Sequence, residues 1–191
     1  MTFKISNFLR NFSYKTNEIN RLLVSTFIYS NNIEVRNNNL IKELLLNGND
    51  ADVCSLSKLV IDTYQEFSIE LLIELFEFVI SPAEKEVNGA VYTPRYVREF
   101  IVQGCFDNFP LDDWRNLRIA DISCGCGGFF ISIAEYLKNK IDTTYYDIYN
   151  HLYGVDIEEY SIERTKILLT SYAIQNGEDI EAFTVNLFCG N

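Results

Sequence analysis

The sequence predicts an α/β fold preceded by a helical N-terminal domain, and three observations predict it. Up to residue 88 the apolar residues recur at helical spacing. Beyond that point short apolar runs alternate with helical ones in the order strand, helix, strand, helix, strand. The first two strand-like runs each reach an aspartate, and a glycine-rich turn follows the first. The expected domains are therefore residues 1–88, helical, and residues 89–191, built on a parallel sheet from right-handed βαβ units.

In the first part, Leu40, Ile41, Leu44 and Leu45 mark one helix, and Leu56, Leu59, Val60 and Tyr64 a second. Ile69, Leu72, Ile73, Phe76 and Val79 mark a third. Between them stand breakers: Asn31-Asn32, Asn37 to Asn39, and Asn47 to Asp50. Ser81-Pro82-Ala83-Glu84 has the form of a capping box with proline at the first helical position. Glu70, Glu74 and Glu77 form one acidic stripe, either a solvated face or a docking face for a basic partner.

In the second part, Thr93-Pro94 reads as a helix start, Thr93 the N-cap, with Val97, Phe100 and Ile101 following at helical spacing. Leu117–Ile122 reads as a strand, Phe129–Leu137 as a helix and His151–Asp156 as a second strand. Ser161–Ile174 reads as a helix and Ala182–Leu187 as a third strand. Lys138 to Asn150 reads as an insertion holding a short Tyr/Ile-rich helix. In parallel sheets ligands bind beyond the C-terminal strand ends, where Asp121, Asp156 and Asn186 are expected. The third strand would leave an open edge, and such edges invite self-association.

Composition narrows the function. With 16 Lys+Arg against 27 Asp+Glu the net charge is −11. Nucleic-acid-binding surfaces are usually basic, so these residues are not expected to make one by themselves. No run approaches the roughly 18 apolar residues of a membrane span, and the first residues lack the apolar stretch of a secretory signal. The five scattered cysteines suit free thiols in a reducing cytoplasm. Cys124 and Cys126 have no second Cys or His pair at zinc spacing, so no metal site is expected.

The turn Asp121-Ile-Ser-Cys-Gly125-Cys-Gly127-Gly128-Phe129-Phe130 lets the backbone approach a ligand closely. A P-loop would need Gly-Lys-Ser/Thr after the glycines, and a dinucleotide fingerprint a third glycine where Phe130 stands. An acidic residue before the turn and another at the next strand end suit a ligand with a ribose and an ammonium group but no phosphate. Asp156 is able to accept both ribose hydroxyls, or to act as a helix N-cap.

The glycine turn resembles the S-adenosylmethionine-binding loop of N6-adenine DNA methyltransferases, usually Asp-Pro-Ala-Cys-Gly-Thr-Gly-Gly-Phe. Gly89-Ala-Val-Tyr92-Thr93-Pro94 resembles the upstream Gly-x-Tyr/Phe-Thr-Pro motif of the same enzymes, and Gly154-Val155-Asp156-Ile157 their second strand. The order of the motifs and the helical N-terminal domain resemble modification subunits of type I restriction–modification systems. The resemblance implies part of a Rossmann-like S-adenosyl-L-methionine-dependent methyltransferase domain. It implies cofactor contacts from Tyr92, Thr93, Pro94, Asp121, Ser123, Cys124, Gly125, Gly127, Phe129, Asp156, Ile157 and Asn186. Ile122 replaces the usual proline, and Asn186 stands where the family carries an aspartate that accepts from the cofactor's adenine.

These enzymes act through an Asn/Asp-Pro-Pro-Tyr/Phe segment that orients the target amine and stacks on the flipped base. The three prolines, Pro82, Pro94 and Pro110, lie in no such motif, so no catalytic residue is expected here. The expectation is the N-terminal portion of a longer adenine-specific enzyme, inactive by itself. The rest of the parent would contact DNA, with specificity or restriction subunits as partners. A non-catalytic cofactor-binding or assembly module, and a methyltransferase with a non-DNA acceptor, are the alternatives. Cys124 and Cys126 are either activated thiols beside a helix N-terminus or small residues filling a tight loop. Tyr92 either stacks on the cofactor or packs on the sheet.

Overall fold

The computed structural model describes residues 3–12, 16–79, 93–107 and 109–190. Its residues cluster into two compact units, 1–92 and 93–191. The Ser81 to Glu84 capping box and the Gly89 to Tyr92 segment lie outside the described residues.

The first unit is helical: α1 (Phe3–Arg10), α2 (Thr16–Ser30), α3 (Asn39–Leu44), α4 (Ala51–Tyr64) and α5 (Ile69–Phe78). The asparagine-rich breakers do specific work. Asn32 takes a left-handed φ of 51°, Asn38 caps α3 by accepting from the Ile41 N–H, and Asp50 caps α4 through the Asp52 and Val53 N–H groups. Ser68 caps α5 in the same way through Leu71.

Helix α2, which no amphipathic stripe announces, is the hub that α3, α4 and α5 pack around. It is buried on nearly every side from Ile19 to Ile28, and a helix surrounded by neighbours loses the one-sided pattern that marks a surface helix. Two of its buried polar residues have clear partners, Ser25 accepting from the Leu46 N–H and Thr26 donating to the Leu22 carbonyl. Phe27 meets Phe67 edge-on at 5.5 Å, and the Asn31 amide bridges the carbonyls of both residues. Glu70, Glu74 and Glu77 are half-buried and each has an interaction partner, so they are not a freely solvated face.

The second unit runs α6 (Arg95–Phe106), a 3-10 turn (Leu111–Asn116), β1 (Ile119–Asp121), α7 (Gly128–Lys140), α8 (Tyr145–Asn150), β2 (Leu152–Asp156), α9 (Glu159–Gln175) and β3 (Asn186–Cys189). The sheet is parallel with strand order β1-β2-β3. The insertion holds its short helix, α8, and is docked firmly. Glu178 accepts from the Tyr145 and Tyr146 N–H groups, and the buried Tyr149 hydroxyl donates to the Leu169 carbonyl. His151 holds the Leu117 carbonyl through Nδ1 and meets the buried Trp114 edge-on, a structural role.

Three expectations are corrected. The third strand is Asn186–Cys189, not Ala182–Leu187. Its register pairs Tyr153 with Asn186 and Asp156 with Cys189, so Asn186 begins the strand instead of ending it. The Asn186 amide fixes that register by donating to the Asn150 and Leu152 carbonyls.

Helix α6 starts at Arg95 with Pro94 in the extended N-cap conformation, so Thr93 is not the cap. The reason is local: Pro94 ψ is 146°, and its carbonyl already takes the Val97 and Arg98 N–H groups. The buried face of α6 is Arg98, Val102 and Phe106, while Phe100 and Ile101 are exposed. Phe106 stacks on Tyr136 of α7 at 5.0 Å, which decides the rotation of the helix.

Among the described residues no helix is long and apolar enough to cross a membrane.

Phe27→Ala is expected to cost about 3–5 kcal/mol in chemical denaturation, the range for emptying a fully buried aromatic site. Phe3→Ala, at a 77% exposed position, should change stability by under about 0.5 kcal/mol. Similar small effects for both would contradict α2 as the hub.

Candidate functional site

The glycine turn and the two strand ends meet at the C-terminal edge of the sheet. The β1–β2 ladder sets Asp121 opposite Gly154, two residues before Asp156. Cys124 continues the contact, its N–H donating to the Val155 carbonyl at 3.0 Å. Asp156 then joins the two turns: Oδ2 accepts from the Gly125 N–H at 2.9 Å and Oδ1 from the Glu158 N–H at 3.0 Å. Asp156 is therefore a turn-forming acceptor but not the N-cap of α9, a position held by Glu158. Each carboxylate oxygen keeps a second lone pair for a further donor.

The other side of the turn is held from α9. Thr165 Oγ1 donates to the Gly125 carbonyl at 2.8 Å, so Gly125 is gripped at its N–H by Asp156 and at its C=O by Thr165. Gly127 has φ +83°, and a Cβ there would meet Thr165 Cγ2 at 2.9 Å. Backbone conformation and close approach thus demand glycine at the same position. In the sequence Thr165 is one polar residue among the apolar positions of α9, on the same buried stripe as Ile162 and Leu169.

Asp121 is half-buried and accepts from the Ser123 N–H at 3.0 Å, while Ile122 and Ser123 are exposed at the tip. Burial holds the Asp121 carboxyl above its ordinary value of 3.8, the Ser123 N–H pulls the other way, and the charge of Asp156 raises it further. Cys124 and Cys126 are buried, and burial with the flanking carboxylates pushes the Cys124 thiol up to about 12. That is the opposite of an activated thiol, so these cysteines fill a tight loop. Among the described residues no group of three or more His, Cys, Asp or Glu converges as metal ligands would.

Of the expected residues, the structure brings together Asp121, Ser123, Cys124, Gly125, Gly127 and Asp156. Ile157 is exposed beside Asp156, and Phe129 is half-buried in the first turn of α7. Thr93 and Pro94 lead into α6, where Arg98 Nη1 donates to the Thr93 carbonyl at 3.3 Å. Tyr92 lies outside the described residues. Asn186 is not part of the site: it lies three residues, about 10 Å of strand, before the level of Asp156 and its amide faces the start of β2. Along the unpaired side of β1 runs an apolar groove of about 440 Å³, lined by Ile101, Phe106, Ile119, Ile122, Phe129 and Ile133.

The raised Asp121 fixes a sign. An acid whose folded value exceeds its unfolded one contributes stability fully below the unfolded value, and that contribution is lost as pH rises through the folded value. Ionised Asp121 therefore costs stability at neutral pH. Asp121→Asn keeps an acceptor for the Ser123 N–H and should melt higher than wild type at pH 7. The gain should vanish below about pH 3.8, where the wild-type carboxyl is protonated in both states. A lower melting point at pH 7 would contradict this electrostatic reading.

The same stretch of chain is what a known family shares. A family model described as N-6 DNA Methylase matches residues 68–182, more than half of the chain. The match starts at Ser68, the cap of α5, and takes in Thr93-Pro94, the glycine turn, Asp156 and Thr165. It ends before β3. No curated protein matches the chain. The chain belongs to the N-6 DNA methylase family.

Proposed function

We propose that residues 89–191 form the cofactor-binding part of a Rossmann-like, S-adenosyl-L-methionine-dependent DNA methyltransferase that modifies adenine N6 in a restriction–modification system. The observation that carries this reading is the pairing of Asp121 and Asp156 at adjacent strand ends around a glycine turn. Burial and the nearby charge of Asp156 both make Asp121 harder to ionise, and a ligand bearing an ammonium group relieves that cost. No phosphate-binding lysine follows the glycines, which suits a cofactor without phosphate.

When bound, the cofactor supplies a sulfonium methyl activated for in-line displacement. Asp156 accepts ribose hydroxyls with the lone pairs left free by Gly125 and Glu158. Ile157 offers apolar surface beside it for the adenine ring. Asp121, with Ser123, Cys124, Gly125 and Gly127 shaping the turn, orients the methionine end. Thr93, Pro94 and Phe129 border that end, and Tyr92 is proposed as a further cofactor contact on the strength of its motif alone.

Residues 1–191 contain no Asn/Asp-Pro-Pro-Tyr/Phe segment to orient an acceptor amine, and their net charge of −11 does not favour a DNA duplex. These residues by themselves are therefore proposed to bind cofactor without methylating DNA. DNA, and specificity or restriction subunits, are the proposed partners, in the cytoplasm. Among the described residues the outer edges of β1 and β3 have no strand beside them, a route to self-association of the isolated chain.

Calorimetric titration with S-adenosylmethionine should show one site, and Asp156→Ala should weaken it about 10–100-fold, as expected for losing charged hydrogen bonds. Absence of heat with a folded wild-type chain, or full affinity in Asp156→Ala, would overturn the reading. A methyl-transfer assay on these residues should give no turnover.

A further inference from the structure

Arg98 breaks a rule of core composition. It is 2% exposed and shares the buried face of α6 with Val102 and Phe106, where an apolar residue is expected. Arginine is almost never fully buried unless it is paired. Its position is also unfavourable for the helix beside it. The guanidinium lies against Gly128, the first residue of α7, and a cation at a helix N-terminus opposes the macrodipole. A buried cation held at a helix N-terminus is expected where function constrains the chain.

Its contacts say what it constrains. Nη1 donates to the Thr93 carbonyl at 3.3 Å, and Nε reaches Ser132 Oγ at 3.4 Å. Ser132 Oγ in turn donates to the Gly128 carbonyl at 3.4 Å. A Cβ on Gly128 would stand 2.6 Å from Nη1 and 3.3 Å from Cζ. A side chain at Gly128 would therefore push directly on the buried guanidinium, whose end would have to shift, even though Gly128's own φ is not in the left-handed region. One side chain thus touches the segment that precedes α6 and the residue that closes the glycine turn.

We infer that Arg98 is a positioning residue for the cofactor site, bolting the Thr93-Pro94 segment to the start of α7 so that it and the glycine turn hold one fixed separation. The inference rests on the cofactor reading proposed above. Arg98 itself touches no cofactor; it acts through the backbone of Thr93 and Gly128. A Lys in its place keeps a cation with three donors but loses the flat guanidinium that packs on Gly128.

The experiment measures S-adenosylmethionine affinity by calorimetry, with thermal melting of the unliganded chain alongside. The variants are Arg98→Met, Arg98→Lys, Gly128→Ala and the Arg98→Met/Gly128→Ala pair. Arg98→Met keeps the apolar stem and should lower affinity tenfold or more while the chain still melts cooperatively. Arg98→Lys should recover part of that loss. Gly128→Ala should mimic Arg98→Met, and the double variant should be no worse than either single one, because both break the same contact. Wild-type affinity in Arg98→Met and Gly128→Ala, or losses that add in full, would overturn the inference while leaving the cofactor reading standing. No binding by wild type would remove that reading, and this inference with it. If Arg98→Met fails to fold, Arg98→Lys and Gly128→Ala decide.

Discussion

The site depends on one carboxylate. Asp156 closes the end of β2 and uses its two oxygens on two different turns, Gly125 after β1 and Glu158 before α9. Parallel pairing alone brings β1 and β2 side by side, but it stops at Asp121 and Gly154. Beyond the ladder the Cys124 N–H still reaches the Val155 carbonyl, but the Gly125 N–H would lack a partner without Asp156, and buried backbone groups without partners are costly. Asp156 supplies a charge-assisted acceptor, stronger than a neutral one, and Thr165 grips the same peptide from the opposite side. The turn is thus preorganised by side chains from β2 and α9, and its own residues need only be small.

That arrangement has a cost that the structure displays. Fixing Asp156 beside Asp121 concentrates negative charge at one sheet edge, and the half-buried Asp121 is held above its ordinary value. Arg98 adds a buried cation at the start of α7, again against local preference. Such features weaken a fold and are tolerated where a ligand must be held, which agrees with membership of the N-6 DNA methylase family. The groove beside β1 belongs to the same picture. Strands of parallel sheets are normally covered on both faces, yet Ala120 is exposed and an apolar cleft borders the strand.

What the sequence made legible was local chemistry. The glycine turn, the aspartates at two strand ends, and helices α7 and α9 all follow from turn residues and short-range periodicity. What it hid was set by distant partners. Helix α2 shows no stripe because burial on nearly every side erases one. The register of β3 comes from the Asn186 amide reaching the carbonyls of Asn150 and Leu152, and the alternation over residues 182–189 fits two registers equally well. The buried face of α6 is not legible because Phe100 and Ile101 are apolar but exposed, whereas the charged Arg98 is buried. Thr165 and Arg98 share a signature that was available: a polar residue standing on an otherwise apolar helical stripe.

The central claim is that Asp156 holds the glycine turn in shape before any ligand arrives. Amide hydrogen exchange at Gly125, in wild type and in Asp156→Ala, tests it most directly. The account predicts that the Gly125 amide is protected in the ligand-free wild type and exchanges at the rate of an open loop in Asp156→Ala, while ladder amides of β2 stay protected in both. A Gly125 amide already unprotected in the wild type, or equally protected in the variant, would contradict it.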